Sequence, residues 1–211
     1  MGEETGGTSG DGGSSTGSTG STSTGSFEDD GSTSTGFDGV VFDLFDLACE
    51  ATWLDGDATL VTCPSMELPG TPSSIIRNPA FPLPPPGVGE VAPALLLQPN
   101  VASTVNLLQG EWAIPAELTQ LDNPRFVALA VCATSPPGGT CTMELQVRLL
   151  RGDDNVSTAI LAIDGGPPTD VVSSFQVQPQ PGDTLVVAAI NDEEDGTAEG
   201  LALVEPALLF D

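Results

Sequence analysis

The acidic turn Asn191-Asp192-Glu193-Glu194-Asp195-Gly196 is the first place in this chain where residue type and spacing could do chemistry. Calcium takes oxygen ligands alone, and the turn reads like the first half of an EF-hand loop. The bidentate acid that such a loop needs would fall at position 202, which is Ala202, so that motif fails. A looser calcium site built from Asp192, Asp195 and Glu199 stays open, with Asp153-Asp154-Asn155 and Asp55-Gly56-Asp57 as weaker versions. An acidic hairpin tip also exists simply to be solvated. The second place is Glu111-Trp112. An exposed indole stacks a pyranose face, and a neighbouring carboxylate can accept from its hydroxyls. The same Trp112 would serve equally well as core. Trp53, close to Cys49, reads as core packed on a disulfide.

The chemistry that is missing narrows the field further. The chain has no His, Lys or Tyr. That removes Ser-His-Asp triads, His-ligated zinc, Schiff bases and the phosphate-loop lysine. Neither Ser73-Ser74 nor Ser173-Ser174 sits in a nucleophile elbow. Hydrolysis by two carboxylates needs a distinctive pair, and none stands out among so many acids. The expectation is a protein that is not an enzyme. With 30 acids against four Arg, the net charge of −26 also excludes nucleic acid as a partner. Salt should stabilise such a chain, because screening relieves its self-repulsion.

The four cysteines are Cys49, Cys63, Cys132 and Cys141. They form two close pairs, and three connectivities are open. Pairing neighbours closes the shortest loops, and neither spacing is that of a zinc knuckle. Disulfides Cys49–Cys63 and Cys132–Cys141 are the expectation, and with them an oxidising compartment. Of residues 1–36, 28 are Gly, Ser or Thr, which cannot offset the cost of ordering a backbone. This stretch reads as a disordered low-complexity linker, and residues 37–211 as one domain. No apolar run is long enough to span a bilayer. A linker of this kind suits an extracellular or cell-surface protein, with a lipid tether through a missing N-terminus as one means of attachment.

The elements that must hold these residues are short apolar runs alternating with turn residues. Thr142–Arg151 puts Met143, Leu145, Val147 and Leu149 on one face, with Glu144, Gln146 and Arg148 on the other. A two-residue period buries one face of a strand and wets the other. Val171–Gln178 alternates in the same way. Gly152-Asp153, Asp164-Gly165-Gly166 and Pro181-Gly182-Asp183 mark turns. Short strands at this spacing predict an all-β fold, an antiparallel β-sandwich of jelly-roll type. Phe42, Phe45 and Cys49 fall three and four apart, which predicts a helical turn, although Val40-Val41-Phe42 suits a strand. The proline-rich stretch Asn78–Pro93 predicts a stiff crossing from one sheet to the other. Arg151-Gly152-Asp153 spells an adhesion tripeptide and equally suits a turn. Asn155-Val156-Ser157 is a formal glycosylation sequon.

The run Phe42-Asp43-Leu44, Ala48-Cys49-Glu50-Ala51-Thr52-Trp53 and Cys63-Pro64 resembles the opening of a domain found in uncharacterised secreted bacterial proteins. Gly110, Pro115, Asn123-Pro124-Arg125-Phe126, Val131-Cys132, Cys141 and Leu145 resemble its second half. Asn123-Pro124 stands where that domain usually has Gly-Asp. The resemblance implies a jelly-roll sandwich similar to galactose-binding-like domains and carbohydrate-binding modules, and it brings no catalytic residues with it. The expected function is therefore a secreted or surface-tethered recognition or adhesion module that binds a glycan or a protein through loops at one end. The alternative is a structural subunit of a surface layer or filament, with self-association.

Overall fold

The computed structural model describes residues 40–64, 73–83, 89–100, 105–132, 141–191 and 199–210. The Gly/Ser/Thr-rich stretch lies outside these residues. Eleven strands follow in order: β1 Val40–Asp43, β2 Thr52–Asp55, β3 Ser74–Pro82, β4 Val91–Gln98, β5 Leu107–Ala113, β6 Arg125–Cys132, β7 Thr142–Arg151, β8 Asp154–Asp164, β9 Thr169–Ser174, β10 Thr184–Asn191 and β11 Leu201–Phe210. Two antiparallel sheets form a sandwich. The six-stranded sheet runs β3-β4-β11-β6-β9, with β1 also paired to β11. The five-stranded sheet runs β2-β5-β10-β7-β8. The chain switches repeatedly between the sheets, as in a jelly roll. Among the described residues no helix is long and apolar enough to cross a membrane.

Alternation decides what enters the core. Met143, Leu145, Val147 and Leu149 of β7 are buried, as their spacing predicts. Leu185 and Val187 of β10 and Leu108 of β5 join them from the same sheet. Ile75, Leu95, Leu97, Phe126, Leu201 and Phe210 close the core from the other. Burying such side chains contributes roughly 1.5–3 kcal/mol each before the entropy cost of ordering them.

Three expectations change. First, the segment from Val40 to Glu50 divides into the strand β1 and a 3₁₀ turn at Ala48–Glu50. Asp43 makes the break. Its Oδ1 accepts from the Phe45 N–H at 2.8 Å and the Asp46 N–H at 3.1 Å, so the backbone turns instead of pairing on. Burial pushes the Asp43 carboxyl above its ordinary range, against the pull of these hydrogen bonds. Second, the proline stretch does not cross between sheets. Pro84, Pro85 and Pro86 lie outside the described residues, while Pro79 and Pro82 lie in β3 and Pro93 in β4, which pair side by side in the six-stranded sheet. The prolines are accommodated because β3 is an edge strand and a register shift falls between Asn78 and Phe81, opposite Pro93. Third, the strand expected over Val171–Gln178 stops at Ser174, where the Phe175 N–H turns to the Pro124 carbonyl.

The C-terminal strand β11 organises the six-stranded sheet. Its first half pairs with β4 and its second half with β1. The handover falls at Glu205-Pro206, where Glu205 takes φ +48° and the register with β6 shifts. The Pro206 carbonyl then accepts from the Leu44 N–H at 3.0 Å. A bulge with a proline is the local means of ending one pairing and starting another.

Two disulfides complete the frame, Cys49–Cys63 and Cys132–Cys141, as neighbour pairing predicts. The first ties the 3₁₀ turn to the chain beyond β2. The second joins the end of β6 in one sheet to the residue before β7 in the other.

Candidate functional site on the five-stranded sheet

Glu111 and Trp112 are adjacent on β5, so they point to opposite faces. Trp112 enters the core and is 3% exposed. Its Nε1 donates to the Leu47 carbonyl at 3.0 Å, and its ring meets Trp53 edge-on with centroids 5.3 Å apart. Trp53 Nε1 donates to the Ala48 carbonyl at 2.7 Å. The two indoles thus anchor the 3₁₀ turn to the five-stranded sheet. A sugar ring cannot stack on Trp112 in this position, so the reading of it as a surface platform is corrected to a core role. The physical reason is that the period of β5 commits Trp112 to the same face as Leu108 and Gly110. Gly110 lies directly under the pair, and a Cβ there would come within 2.7 Å of both indoles.

Glu111 faces the other way, onto the outer face of the five-stranded sheet. There Gln109 of its own strand links it to Arg148 of β7. Gln109 Nε2 donates to Glu111 Oε1 at 2.8 Å. Arg148 Nη2 on β7 donates to Gln109 Oε1 at 2.8 Å. Gln146 Nε2 donates to Glu144 Oε1 at 2.6 Å. Arg148 pairs in register with Val186 of β10, and Gln109 pairs with Ala188. To reach Gln109 on β5, the Arg148 side chain must cross β10. This explains why Val186 and Ala188 are fully buried although they alternate with core residues: the stem of Arg148 and its neighbours lie over them. The result is an apolar floor under a planar guanidinium, with amides and carboxylates on either side. The buried Arg148 Nε makes no hydrogen bond within the protein. Leu54 and Ile160 flank this row on β2 and β8. The outer face of the six-stranded sheet is different in kind. There Phe81, Ala92, Ala94, Val131, Ala202 and Val204 form an apolar cluster.

The calcium candidates are not brought together in the described residues. Asp192 and Asp195 lie outside them. Glu199 is fully buried, and its Oε2 accepts from the Thr142 N–H at 3.0 Å. Among the described residues no three acidic, Cys or His side chains gather around one point.

The adhesion tripeptide forms a hairpin turn between β7 and β8, with Gly152 at φ +60°. Its arginine is engaged inside the fold. Arg151 Nε and Nη2 donate to the two Asp183 carboxylate oxygens at 3.0 and 2.9 Å. Asp183 is 1% exposed, and burial alone would raise its pKa. The paired Arg151 and the Gln180 N–H outweigh burial and hold the carboxyl below its ordinary range. The sign follows from linkage. A depressed folded-state pKa contributes stability that is present above the unfolded value and is lost as pH falls through the folded value. Asp183→Asn should therefore destabilise the domain at pH 7, and the gap from the parent protein should shrink below about pH 4, near the ordinary carboxylate pKa. Urea unfolding from pH 7 to 3 checks this; a gap that widens on acidification would contradict it.

No family model and no curated protein matches this chain. Solved structures similar to it include a xylan-binding CBM22 domain from Paenibacillus barcinonensis, at 9% identity over 65% of this chain and 81% of that one, with a TM-score of 0.41. A CBM61 module in complex with β-1,4-galactotriose matches at 5% identity over 67% of this chain and 90% of that one, with a TM-score of 0.39. Both are carbohydrate-binding modules by name. An arabinose-bound α-L-arabinofuranosidase also matches, at 11% identity over 66% of this chain and a TM-score of 0.42, but the chain spans only 22% of that enzyme's length. Identities of this order leave the chemistry of the site to its own residues.

Proposed function

We propose that this protein is a non-catalytic glycan-binding module that works outside the cytoplasm, and that it binds through the outer face of its five-stranded sheet. The observation that carries the reading is the Glu111–Gln109–Arg148 chain laid across β10. Sugar hydroxyls donate and accept at once. Amides offer both functions, carboxylates accept, and a guanidinium donates in a fixed fork. Side chains already held by one another lose little freedom when a ligand arrives. Two disulfides support an oxidising compartment. The absence of His and Lys supports a role without catalysis.

The ligand class follows from charge and from what the face lacks. A strongly acidic domain repels anionic polysaccharides. Among the described residues no aromatic ring lies on this face. Binding therefore rests on hydrogen bonds to a neutral polysaccharide, with Leu54 beside Gln109 as an apolar contact. This reading puts the working surface in the middle of a sheet, in place of the loops at one end that the sequence suggested. Affinity electrophoresis through soluble xylan, β-1,4-galactan and a polyuronate tests the reading. Retardation by a neutral polysaccharide and none by the polyuronate is the expected result. Free migration through every gel would overturn it.

A further inference from the structure

We propose that the open edge of β8 is a docking site for an extended segment of another protein, which adds to the five-stranded sheet as a new strand. The five-stranded sheet ends on β8, at 11 residues the longest strand among the described residues. Its length is about 36 Å. Edge strands are normally protected by shortness, proline, bulges or charge. The other edges have such protection. β2 and β1 are four residues each, β3 carries Pro79 and Pro82 with a register shift, and β9 is six residues with Asp170 within it. β8 has one register shift, at Val156 near its start, and none of these protections from Ser157 to Ile163. Residues 155–163 read Asn-Val-Ser-Thr-Ala-Ile-Leu-Ala-Ile, without charge, proline or glycine. Ile160 is 59% exposed, and Thr158 and Ala162 are exposed on the same side. A row of backbone donors and acceptors beside β-branched side chains is a template for one more strand.

Charge selects the occupant. Asp153 and Asp154 stand at one end of the edge and Asp164 at the other, all exposed. Arg151, the nearby cation, is committed to Asp183. A second copy of β8 paired antiparallel about Ala159 would set Asp154 against Asp164 at both ends, and like charges directly opposite are unfavourable. The fitting partner is an extended, uncharged β-forming segment of about nine residues with Lys or Arg at each end.

A fluorescein-labelled peptide of alternating Thr and Val with two Lys at each end is the probe. Titrated into the full chain, it should bind saturably, weaken as salt rises, and slow hydrogen exchange at residues 154–164 alone. An equivalent peptide with Glu at its ends should not bind. Successive amides of a strand point to opposite sides, so one of Ala159→Pro and Ile160→Pro removes an outward N–H and the other breaks the bond to β7. The variant that keeps the parent melting temperature should bind the Lys peptide at least tenfold more weakly. Equal binding of both peptides, protection elsewhere, or a chain that dimerises through β8 on its own would overturn the proposal. If neither proline variant folds, the exchange pattern decides. Polysaccharide retention by the sheet face is expected to persist with peptide bound, so the two readings fail separately.

Discussion

Trp112→Ala should cost the domain about 3–5 kcal/mol of stability, the usual penalty for emptying a large buried aromatic site. The ring holds its surroundings in three ways at once. Trp112 meets Trp53 edge-on, donates to the Leu47 carbonyl, and fills the space over Gly110. Its removal leaves a cavity, an orphaned carbonyl and a loosened 3₁₀ turn. The reverse change, Gly110→Val, should also destabilise, because even a Cβ at that site lies 2.7 Å from both rings. Overpacking of that kind costs typically 1–3 kcal/mol. Urea unfolding of the two variants checks both. A Trp112→Ala protein with unchanged stability would mean that the ring is not core, and would return it to the surface role that its neighbour Glu111 suggested.

Removal of the disulfides is the second large effect. Cys49–Cys63 spans 14 residues and Cys132–Cys141 spans nine. In the chain-entropy picture each closure stabilises by roughly 2–3 kcal/mol. The Cys132–Cys141 bridge also joins the two sheets, so without it the packing of β6 against β7 should loosen as well as the chain. Paired Cys→Ser variants, compared by denaturant midpoint, measure the two contributions separately. If both double variants match the parent, the bridges contribute nothing to stability.

The fold class and the inward face of β7 are legible in the two-residue period alone. So is the polar set Glu144, Gln146 and Arg148, which falls on one side of that strand by counting. The reach of Arg148 to Gln109 is not legible in that way. It depends on β10 pairing between β5 and β7. These are long-range pairings, in which period constrains a strand's faces but says nothing about its neighbours. The proline stretch misleads for a related reason. Proline disfavours a central position, but an edge strand, a register shift such as the one opposite Pro93 in β4, and a sheet-to-sheet crossing all satisfy that rule. Trp112 is ambiguous because a single indole beside a carboxylate has the same local pattern in a core strand and in a sugar site. Only the partners brought to it by β2 and the 3₁₀ turn separate the two.

Arg148→Met is the sharpest probe of the hydrogen-bonded row on the five-stranded sheet as the working surface. The substitution keeps an apolar stem over Val186 and Ala188 while removing the guanidinium. The melting temperature should therefore stay close to that of the parent. The measurement is retention by the neutral polysaccharide that holds the parent protein best, with both proteins in one gel series. Hydrogen bonds to a charged group contribute about 1.5–3 kcal/mol, so affinity should fall by at least about tenfold. A folded Arg148→Met protein that binds as tightly as its parent would contradict the account.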